Sequence, residues 1–508
     1  MKRFLAMLLA VLMACSLAAC GGKTEEKQEV PNEPEKTAVA PLKLYKANNY
    51  LRHEELYQEE WTKLYLSEKD AEGYPALAEV LAEWNTEQDV YHYDWEQRAK
   101  EDARTAKAEM EDYFYPFYSN SFYYVQRADN RILSIREDWS EYYGGVHDMY
   151  GTIGHTFDTA TGERLTLDKI IKDTDAIPAI LAGKLEEKYP DDIHLFSDNI
   201  TETLAEYELD QFIWTADYQG VTFYFDPYEL ASFAAGRLTA TIWFEEYPSL
   251  FEETFTEQPE NGYIKEIPLW DEIEVDLESA DGERDMVSVI GAAIGEYGEQ
   301  RINIRRNAEG YSDPDSYGYR FTPHLVCQND RFYVLVEGSA ENEYRTVYVY
   351  DLNEEEIRAI DINPGVGFHS PEWEPEDEQY GLREVLNDPT ELCLDTLVNM
   401  LGTMSGVNTY EFVNGILLQD HPYFELPEDF PPLVSLMPLE VYLYEEDLTE
   451  EVPAGTKFHF LRTDNDSYVD MRMDDGRECR LEVGFNGWDR TVNGISEYDV
   501  FGEILYAG

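Results

Sequence analysis

The sequence predicts an α+β N-terminal domain, with helices on a mostly antiparallel sheet, followed by a mainly β region that ends in a small barrel-like unit. With 508 residues the chain has room for two or three domains. Apolar and polar residues alternate over 221–226 and 238–244, which is typical of half-buried strands. Near the start of the chain the apolar spacing is instead helical, at Leu77, Val80, Leu81 and Trp84.

Helices are expected first in the N-terminal domain. Pro75 suits a first helical turn, and a second helix is expected over about 90–113, with Trp95, Ala99 and Ala103 facing inward. Residues 122–127 and 132–139 then predict a hairpin around 128–130. The segment 158–162 has the composition of a turn, and the apolar residues of 177–185 indicate another helix.

Beyond about residue 266 the pattern is mainly that of strands. Residues 331–336 and 346–350 predict a strand pair, and 389–404 a short helix. Residues 457–461, 468–473 and 479–483 are the expected strands of the barrel-like unit, with a tight turn at 474–476. The predicted organisation is a signal peptide (1–19), a disordered acidic tether (20–44), and three folded parts at 45–266, 267–451 and 452–508.

The chain is strongly acidic, with 105 Asp and Glu against 39 Lys and Arg and a net charge of −66. Such a surface repels nucleic acid and anionic lipid, so the charge excludes a direct nucleic-acid role. It attracts a cationic partner or divalent cations. The alternative is an acidic shell that only keeps the protein soluble.

The first twenty residues have the pattern of an export signal. Lys2 and Arg3 precede an apolar stretch, 4–14, that is too short to span a bilayer. The run Leu17-Ala18-Ala19-Cys20 resembles the lipobox of bacterial lipoproteins. That resemblance implies that Cys20 is acylated and becomes the N-terminus, anchoring the protein on the outer face of the membrane. The alternative is an ordinary secreted protein with an incidental cysteine.

The remaining cysteines, Cys327, Cys393 and Cys479, are widely separated and odd in number. They form neither a disulfide framework nor a CxxC zinc motif, so we expect buried free thiols.

Four passages resemble the extracytoplasmic domain of RsiV-like and PdaC-like bacterial proteins, over about residues 50–255. They occur in the order expected for that domain and are Tyr74-Pro75-Ala76-Leu77, Tyr142-Tyr143-Gly144-Gly145-Val146-His147, residues 156–167 (Thr-Phe-Asp-Thr-Ala-Thr-Gly-Glu-Arg-Leu-Thr-Leu), and residues 223–230 with 234–236. Members of this family include the outer part of an anti-sigma factor that binds lysozyme and modules that precede a peptidoglycan deacetylase. The resemblance therefore implies envelope binding or sensing rather than a reaction.

The segment Tyr142-Tyr143-Gly144-Gly145-Val146-His147 is the predicted ligand-binding loop. Two glycines permit positive φ and a close approach to a partner, between Tyr142 and Tyr143 on one side and His147 on the other. The alternative is a sheet turn whose aromatic rings cover the core.

Sequence motifs for catalysis or metal binding are incomplete. Thr156-Phe157-Asp158-Thr159 has only one Asp of the deacetylase pair, and the chain has no His-x-x-x-His. Residues 464–469 and 313–318 begin like calcium loops but lack the required glycine or the final glutamate. We therefore expect no metal and no cofactor.

The combined expectation is a non-catalytic surface lipoprotein that binds an envelope ligand, either a cationic protein such as lysozyme or peptidoglycan. The alternative is a peptidoglycan-modifying enzyme, or its accessory subunit, with a site formed by scattered residues.

Overall fold

A computed structural model of the chain describes residues 38–53, 55–110, 113–189, 199–277, 284–341, 344–361, 365–369, 382–486 and 489–506. The chain from Val39 onward forms one compact unit. The predicted signal peptide, Cys20 and most of the tether lie outside the described residues. Within the described ranges, no helix is both long enough and apolar enough to cross a bilayer.

A six-stranded sheet organises the N-terminal region, in the order β19-β1-β2-β3-β4-β5. The pair β2–β3 is parallel, whereas the other neighbours in this sheet are antiparallel. The strands, numbered in chain order, are β1 (Leu44–His53), β2 (Tyr57–Leu66), β3 (Phe117–Ala128), β4 (Ile132–Tyr142), β5 (Met149–Asp158) and β19 (Arg383–Val385).

One long helix makes the crossover between the parallel strands β2 and β3. After the short helix α1 (Glu68–Gly73), helix α2 runs without a break over Pro75–Met110. The prediction of two helices in this stretch was wrong, because residues 85–89 are polar but contain no glycine or proline that would end a helix. Asn85, the first residue of this polar stretch, is held by strand β2: its side chain accepts from Leu64 N (3.1 Å) and donates to Leu64 O (2.9 Å).

A three-stranded sheet and several helices complete the N-terminal region. Their shared core joins Ile132 of β4 to apolar residues of the smaller sheet and of α4. The smaller sheet approaches β5 so closely that a Cβ on Gly154 would lie 1.9 Å from Trp214 O. The elements are β6 (Ile213–Ala216), β7 (Gly220–Phe225), β8 (Leu238–Trp243), α3 (Leu167–Ile170), α4 (Ile177–Lys188), α5 (Ile200–Ala205) and α6 (Glu253–Thr256).

Two further sheets pack face to face in the middle of the chain, around a core that includes Val289, Ile304 and Val334. One has the order β10-β11-β12-β13 and the other β17-β16-β15-β14-β9. The strands are β9 (Tyr263–Glu266), β10 (Glu272–Val275), β11 (Asp285–Ala293), β12 (Gln300–Arg306), β13 (Glu309–Ser312), β14 (Arg320–Gln328), β15 (Arg331–Ser339), β16 (Arg345–Asp351) and β17 (Arg358–Ile360). The predicted strand pair is confirmed as β15–β16.

The last region is a sheet of 13 strands with the short helix α7 (Glu497–Phe501). The helix predicted within 389–404 was wrong: Leu392 and Leu394 alternate on one face of a strand and join the core beneath β15 and β16. The strands are β18 (Val366–Phe368), β20 (Leu392–Asn399), β21 (Thr403–Val413), β22 (Ile416–Gln419), β23 (Phe424–Glu425), β24 (Leu433–Val434), β25 (Leu439–Leu443), β26 (Leu448–Val452), β27 (Lys457–Thr463), β28 (Tyr468–Met473), β29 (Glu478–Asn486), β30 (Asp489–Val492) and β31 (Ile495–Ser496).

The predicted fold class is confirmed in its main division, an α+β N-terminal region followed by a β-rich C-terminal region. The three strands expected for the barrel-like unit are adjacent in the 13-stranded sheet, as β27, β28 and β29. The predicted domain limits at 266 and 451 stay predictions. Strands pair across the predicted limit at 266. Strand β19 pairs with β1 of the N-terminal sheet, and β9 pairs with β14 of the five-stranded sheet.

Cys327 and Cys479 are buried free thiols, as expected, whereas Cys393 is free but only partly buried. Burial raises the pKa of the Cys327 thiol to about 11 and that of the Cys393 thiol to about 12. Such thiols are protonated at neutral pH and unreactive.

Candidate functional site

The predicted binding loop connects β4 to β5. Tyr142 is the last residue of β4, and β5 begins at Met149. Gly144 and Gly145 have φ values of +90° and +118°, a region that favours glycine. The Tyr142 hydroxyl donates to Gly145 O at 3.2 Å, which ties the strand end to the turn.

The aromatic residues of this loop do not all converge on one point. Tyr143 lies on the helix side of the sheet, where its hydroxyl accepts a hydrogen bond from Trp95 Nε1. Tyr142 stacks on Tyr118 with ring centroids 5.9 Å apart. His147 stacks on Phe233, in a short 3₁₀ turn, at 4.2 Å. The rings of Tyr142 and Tyr143 both also meet Phe117 edge to face, with centroids 6.2 Å apart, and Phe117 belongs to the cluster around Trp95. The tyrosines therefore help to cover that cluster, whereas His147 packs elsewhere, on Phe233.

A polar band interrupts the interface between helix α2 and the sheet. One apolar cluster surrounds Trp84 and another surrounds Trp95, three helical turns further on. Between them the helix contributes the buried His92. The sheet contributes Glu59, Ser119 and Glu141, which lie directly opposite one another on β2, β3 and β4. The candidate functional site lies along this polar band.

The inner end of the polar band is a buried carboxylate–imidazole pair. Glu59 Oε2 lies 2.8 Å from His92 Nδ1, and both side chains are almost completely buried. The Trp61 ring stacks on His92 at 4.4 Å. Burial raises the pKa of the Glu59 carboxyl, because the charged form is poorly solvated there.

The outer end of the polar band opens into a groove of about 410 Å³. Helix α2 forms one wall and the strands β3, β4 and β5 form the floor. This volume is within the range of small-ligand sites. The groove is lined by Trp84, Gln88, Tyr91, Ser119, Asn120, Ser121, Glu137, Trp139, Glu141, Ile153 and His155.

Hydrogen bonds hold both carboxylates of the groove in place. Glu137 lies 2.7 Å from His155 Nε2 and accepts from Ser121 Oγ, also at 2.7 Å. Glu141 accepts from the Tyr91 hydroxyl at 2.5 Å. Burial, reinforced by that hydrogen bond, raises the pKa of Tyr91 well above its ordinary value, so its hydroxyl remains a donor. The two acids are therefore pre-oriented acceptors.

The groove combines negative charge with aromatic surface. No lysine or arginine is among the described residues that line it. Trp139 is half-buried, and Tyr91 is 46% exposed. This arrangement can accept hydrogen bonds from an ammonium, guanidinium or hydroxyl group while a ring face packs on the rest of the ligand.

Sequence reasoning selected the loop and missed the groove. The sequence pattern that could have indicated the groove is in β4. There Glu137, Trp139 and Glu141 continue the strand face that begins with the buried Leu133 and Ile135. Acidic residues at core-facing positions of a strand indicate either a paired buried charge or a site.

A larger cavity of about 690 Å³ lies beside β5, against residues 164–168 and 208–214. Its basic side chain, Arg164, is occupied in donating to Gly154 O at 2.6 Å. Its acidic residues, Asp168, Glu208 and Asp210, are exposed. Fixed, partly buried polar groups make the groove the better candidate. In the part of the chain that the structure describes, no three His, Cys, Asp or Glu side chains are grouped to hold a metal ion.

Comparison with known proteins identifies one segment. Residues 166–245 match the family described as "Protein of unknown function (DUF3298)". No curated protein sequence matches the chain. The solved structures that are similar include two of DUF3298 family proteins. One, from Bacteroides fragilis, is 19% identical, with 43% of this chain and 96% of that chain covered and a TM-score of 0.32. The other, from Pseudomonas aeruginosa, is 15% identical, with 43% and 97% covered and a TM-score of 0.31.

The matching segment contains α3, α4, α5 and the whole three-stranded sheet β6–β8. It lies within the residues, about 50–255, whose motifs resemble the RsiV-like and PdaC-like domain. The residues of the groove precede the segment in the chain, on the sheet against which it packs. What the comparisons identify in this chain is therefore a DUF3298 domain over residues 166–245.

Proposed function

We propose that this protein is a non-catalytic, lipid-anchored module of the bacterial cell envelope that binds a cationic protein through the groove beside helix α2. The observation that carries the proposal is the pair Glu137 and Glu141, held by hydrogen bonds in a groove that has no lysine or arginine among its described lining. A fixed acceptor pair suits an arginine or lysine side chain, because the acids need no reorganisation on binding.

Charge supports a cationic partner at long range. The net charge of −66 steers positive proteins toward the surface and raises their association rate. The resemblance to a domain that binds lysozyme in one RsiV-like protein leads to the same class of ligand.

The position of the groove also supports the proposal. The chain enters the sheet where Pro41 bridges to Asp129, next to Ala128 at the end of β3. Ser119, on the floor of the groove, is nine residues earlier on the same strand, about 30 Å away at the rise of an extended chain. For a chain acylated at Cys20, the groove is thus remote from the point at which the tether joins the fold.

The direct test is calorimetry of the full-length protein with hen-type lysozyme at low and physiological salt. We expect saturable binding that weakens steeply with salt, since exposed charges are screened beyond about 8 Å at 0.15 M. Glu141→Gln and Trp139→Ala should each weaken binding about tenfold or more. Glu79→Gln removes the same charge from the exposed face of helix α2 and should leave the affinity nearly unchanged.

Two results would contradict this proposal. Absence of heat and of co-elution at low salt would exclude lysozyme as a ligand. Equal weakening by Glu141→Gln and Glu79→Gln would mean that the overall charge, rather than the groove, binds the partner.

A peptidoglycan-modifying enzyme is the second candidate, favoured by the Glu137–His155 pair. A carboxylate beside an imidazole can move a proton to or from a ligand. Release of sugars or acetate from peptidoglycan by the wild-type protein, abolished in Glu137→Gln, would establish this candidate in place of the first.

A further inference from the structure

A second concave site lies in the middle region of the chain, in the sandwich of the four- and five-stranded sheets. It is a cavity of about 660 Å³ bounded by β13, the turn that follows it, β16 and β17. Strands β13 and β17 are each the last strand of their sheet. The cavity therefore lies at the edges of the two packed sheets.

Tyrosine rings dominate the walls of this cavity. They are Tyr311, Tyr317, Tyr344, Tyr348 and Tyr350. Several are fixed by contacts within the fold. The Tyr350 hydroxyl donates to Asp313 Oδ2 at 2.6 Å, and the rings of Tyr311 and Tyr350 meet edge to face at 6.0 Å. The Tyr348 hydroxyl accepts from Tyr317 N at 3.1 Å. The aromatic surface therefore exists before any ligand arrives.

The charged residues of the lining are all acidic. Asp313 is buried, and its other oxygen accepts from the backbone N–H of Asp315 at 3.0 Å. The side chains of Asp315 and Asp361 are exposed at the mouth. Among the described lining residues there is no lysine, arginine or histidine. The carboxylates lie on two separate elements of the lining, Asp313 and Asp315 in the turn after β13 and Asp361 directly after β17.

We propose that this cavity binds a linear aliphatic polyamine. Spaced carboxylates match ammonium groups separated by methylene chains, whereas a metal ion requires ligands that converge on one point. Tyrosine faces attract ammonium groups and pack against the methylene chain between them. A cavity of this volume can enclose such a chain. The site is independent of the groove beside helix α2, which has other residues on another sheet.

The test is calorimetric titration of the full-length protein with spermidine at physiological salt, where diffuse attraction to the acidic surface is screened. We expect one saturable site. Asp315→Asn should weaken it about fivefold or more, and Tyr344→Ala to a similar extent. The matched controls are Asp466→Asn, in an exposed turn of the 13-stranded sheet, and Tyr297→Ala, an exposed tyrosine outside the cavity. Neither control should change the affinity.

Each other outcome overturns the proposal. Heat that does not saturate, or equal effects of Asp315→Asn and Asp466→Asn, would mean that spermidine is only a counterion. Displacement of spermidine by equimolar calcium, with the loss of both in Asp315→Asn, would identify a metal site. If butylamine, which has a single amine, bound with the same affinity as spermidine, the spacing of the carboxylates would not contribute to recognition.

Discussion

Glu137 and His155 lie on the neighbouring strands β4 and β5, with Oε2 and Nε2 2.7 Å apart, both side chains buried and the imidazole packed against Trp84. The acid also accepts from Ser121. This pair stands at the boundary between the apolar core around Trp84 and the groove. Its hydrogen bonds therefore serve both the stability of the sheet–helix interface and the orientation of a carboxylate that a ligand can reach.

Removing the imidazole of this pair should destabilise the protein. His155→Ala leaves Glu137 buried with one fewer partner and opens a gap against Trp84, at a cost of about 3 kcal/mol. His459→Ala is the matched control, because His459 also pairs with an acid (Asp474, 3.1 Å) but is 41% exposed. The control should cost less than about 1 kcal/mol. Urea unfolding followed by tryptophan fluorescence measures both, and equal losses would contradict the expected role of burial.

A second prediction concerns the dependence of stability on pH. Burial lowers the pKa of His324 to about 4, and the acid nearest to it, Glu266, is 4.0 Å away and also bound to Lys46. The unfolded chain, with an ordinary pKa of about 6.5, takes up a proton below that pH, whereas the folded chain does not. His324 therefore contributes stability above pH 6.5 that is lost as the pH falls toward 4, by about 3 kcal/mol in total.

The variant His324→Gln lacks this titration. Its difference from wild type in unfolding free energy should shrink as the pH falls from 7 to 4. His421→Gln, at a position whose side chain is 52% exposed, is the control for replacing a histidine outside the core. A constant difference for His324→Gln would show that the imidazole titrates alike in both states.

The close approach of the two N-terminal sheets gives a third prediction. Gly154→Ala would place a Cβ 1.9 Å from Trp214 O, so the sheets must separate, with a loss of about 3 kcal/mol. Gly183→Ala, on an exposed turn of helix α4 with nothing within 4 Å of the added carbon, should stabilise by about 0.5–1 kcal/mol. Opposite shifts of the thermal midpoint would confirm the prediction. A stable Gly154→Ala would mean that β5 and β6 are further apart.

The fourth prediction is acylation at Cys20. Radiolabelled fatty acid should be incorporated into the wild-type protein, and Cys20→Ala should be released into the medium or remain uncleaved. Cys15→Ala is the control, since Met13 is too bulky for a residue that precedes the cleavage site. Membrane retention of Cys20→Ala at unchanged size would refute lipid anchoring.

Local patterns were sufficient to predict much of the β structure. The alternation at 221–226 and 238–244 became β7 and β8, because each strand has one face in the core around Phe223 and Ile242. The sequence Asp474-Asp475-Gly476 predicts a turn because glycine adopts positive φ without strain. Gly476 has a φ of +88° in the structure.

The features that could not be predicted from the sequence depend on contacts between residues that are distant in the chain. The polar stretch 85–89 resembles a connection between helices, but Asn85 and Asp89 have hydrogen-bond partners on β2 that are distant in sequence. The turn at Asp313 and Asp315 was interpreted only as an incomplete calcium loop. Its place in a tyrosine-lined cavity depends on β16, which local periodicity predicts as a strand but does not position.

Strand β19 delays completion of the N-terminal sheet during synthesis and folding of the chain. It pairs with β1, and Asn387 just beyond it donates to Leu42 O, a residue 345 positions earlier. Closing so long a loop is entropically costly, and folds dominated by distant contacts form slowly. A nascent chain cannot complete its first sheet until most of the polypeptide has been synthesised. The N-terminal half thus emerges with an open sheet edge at β1, and assembly of this region ends with a strand from the other half.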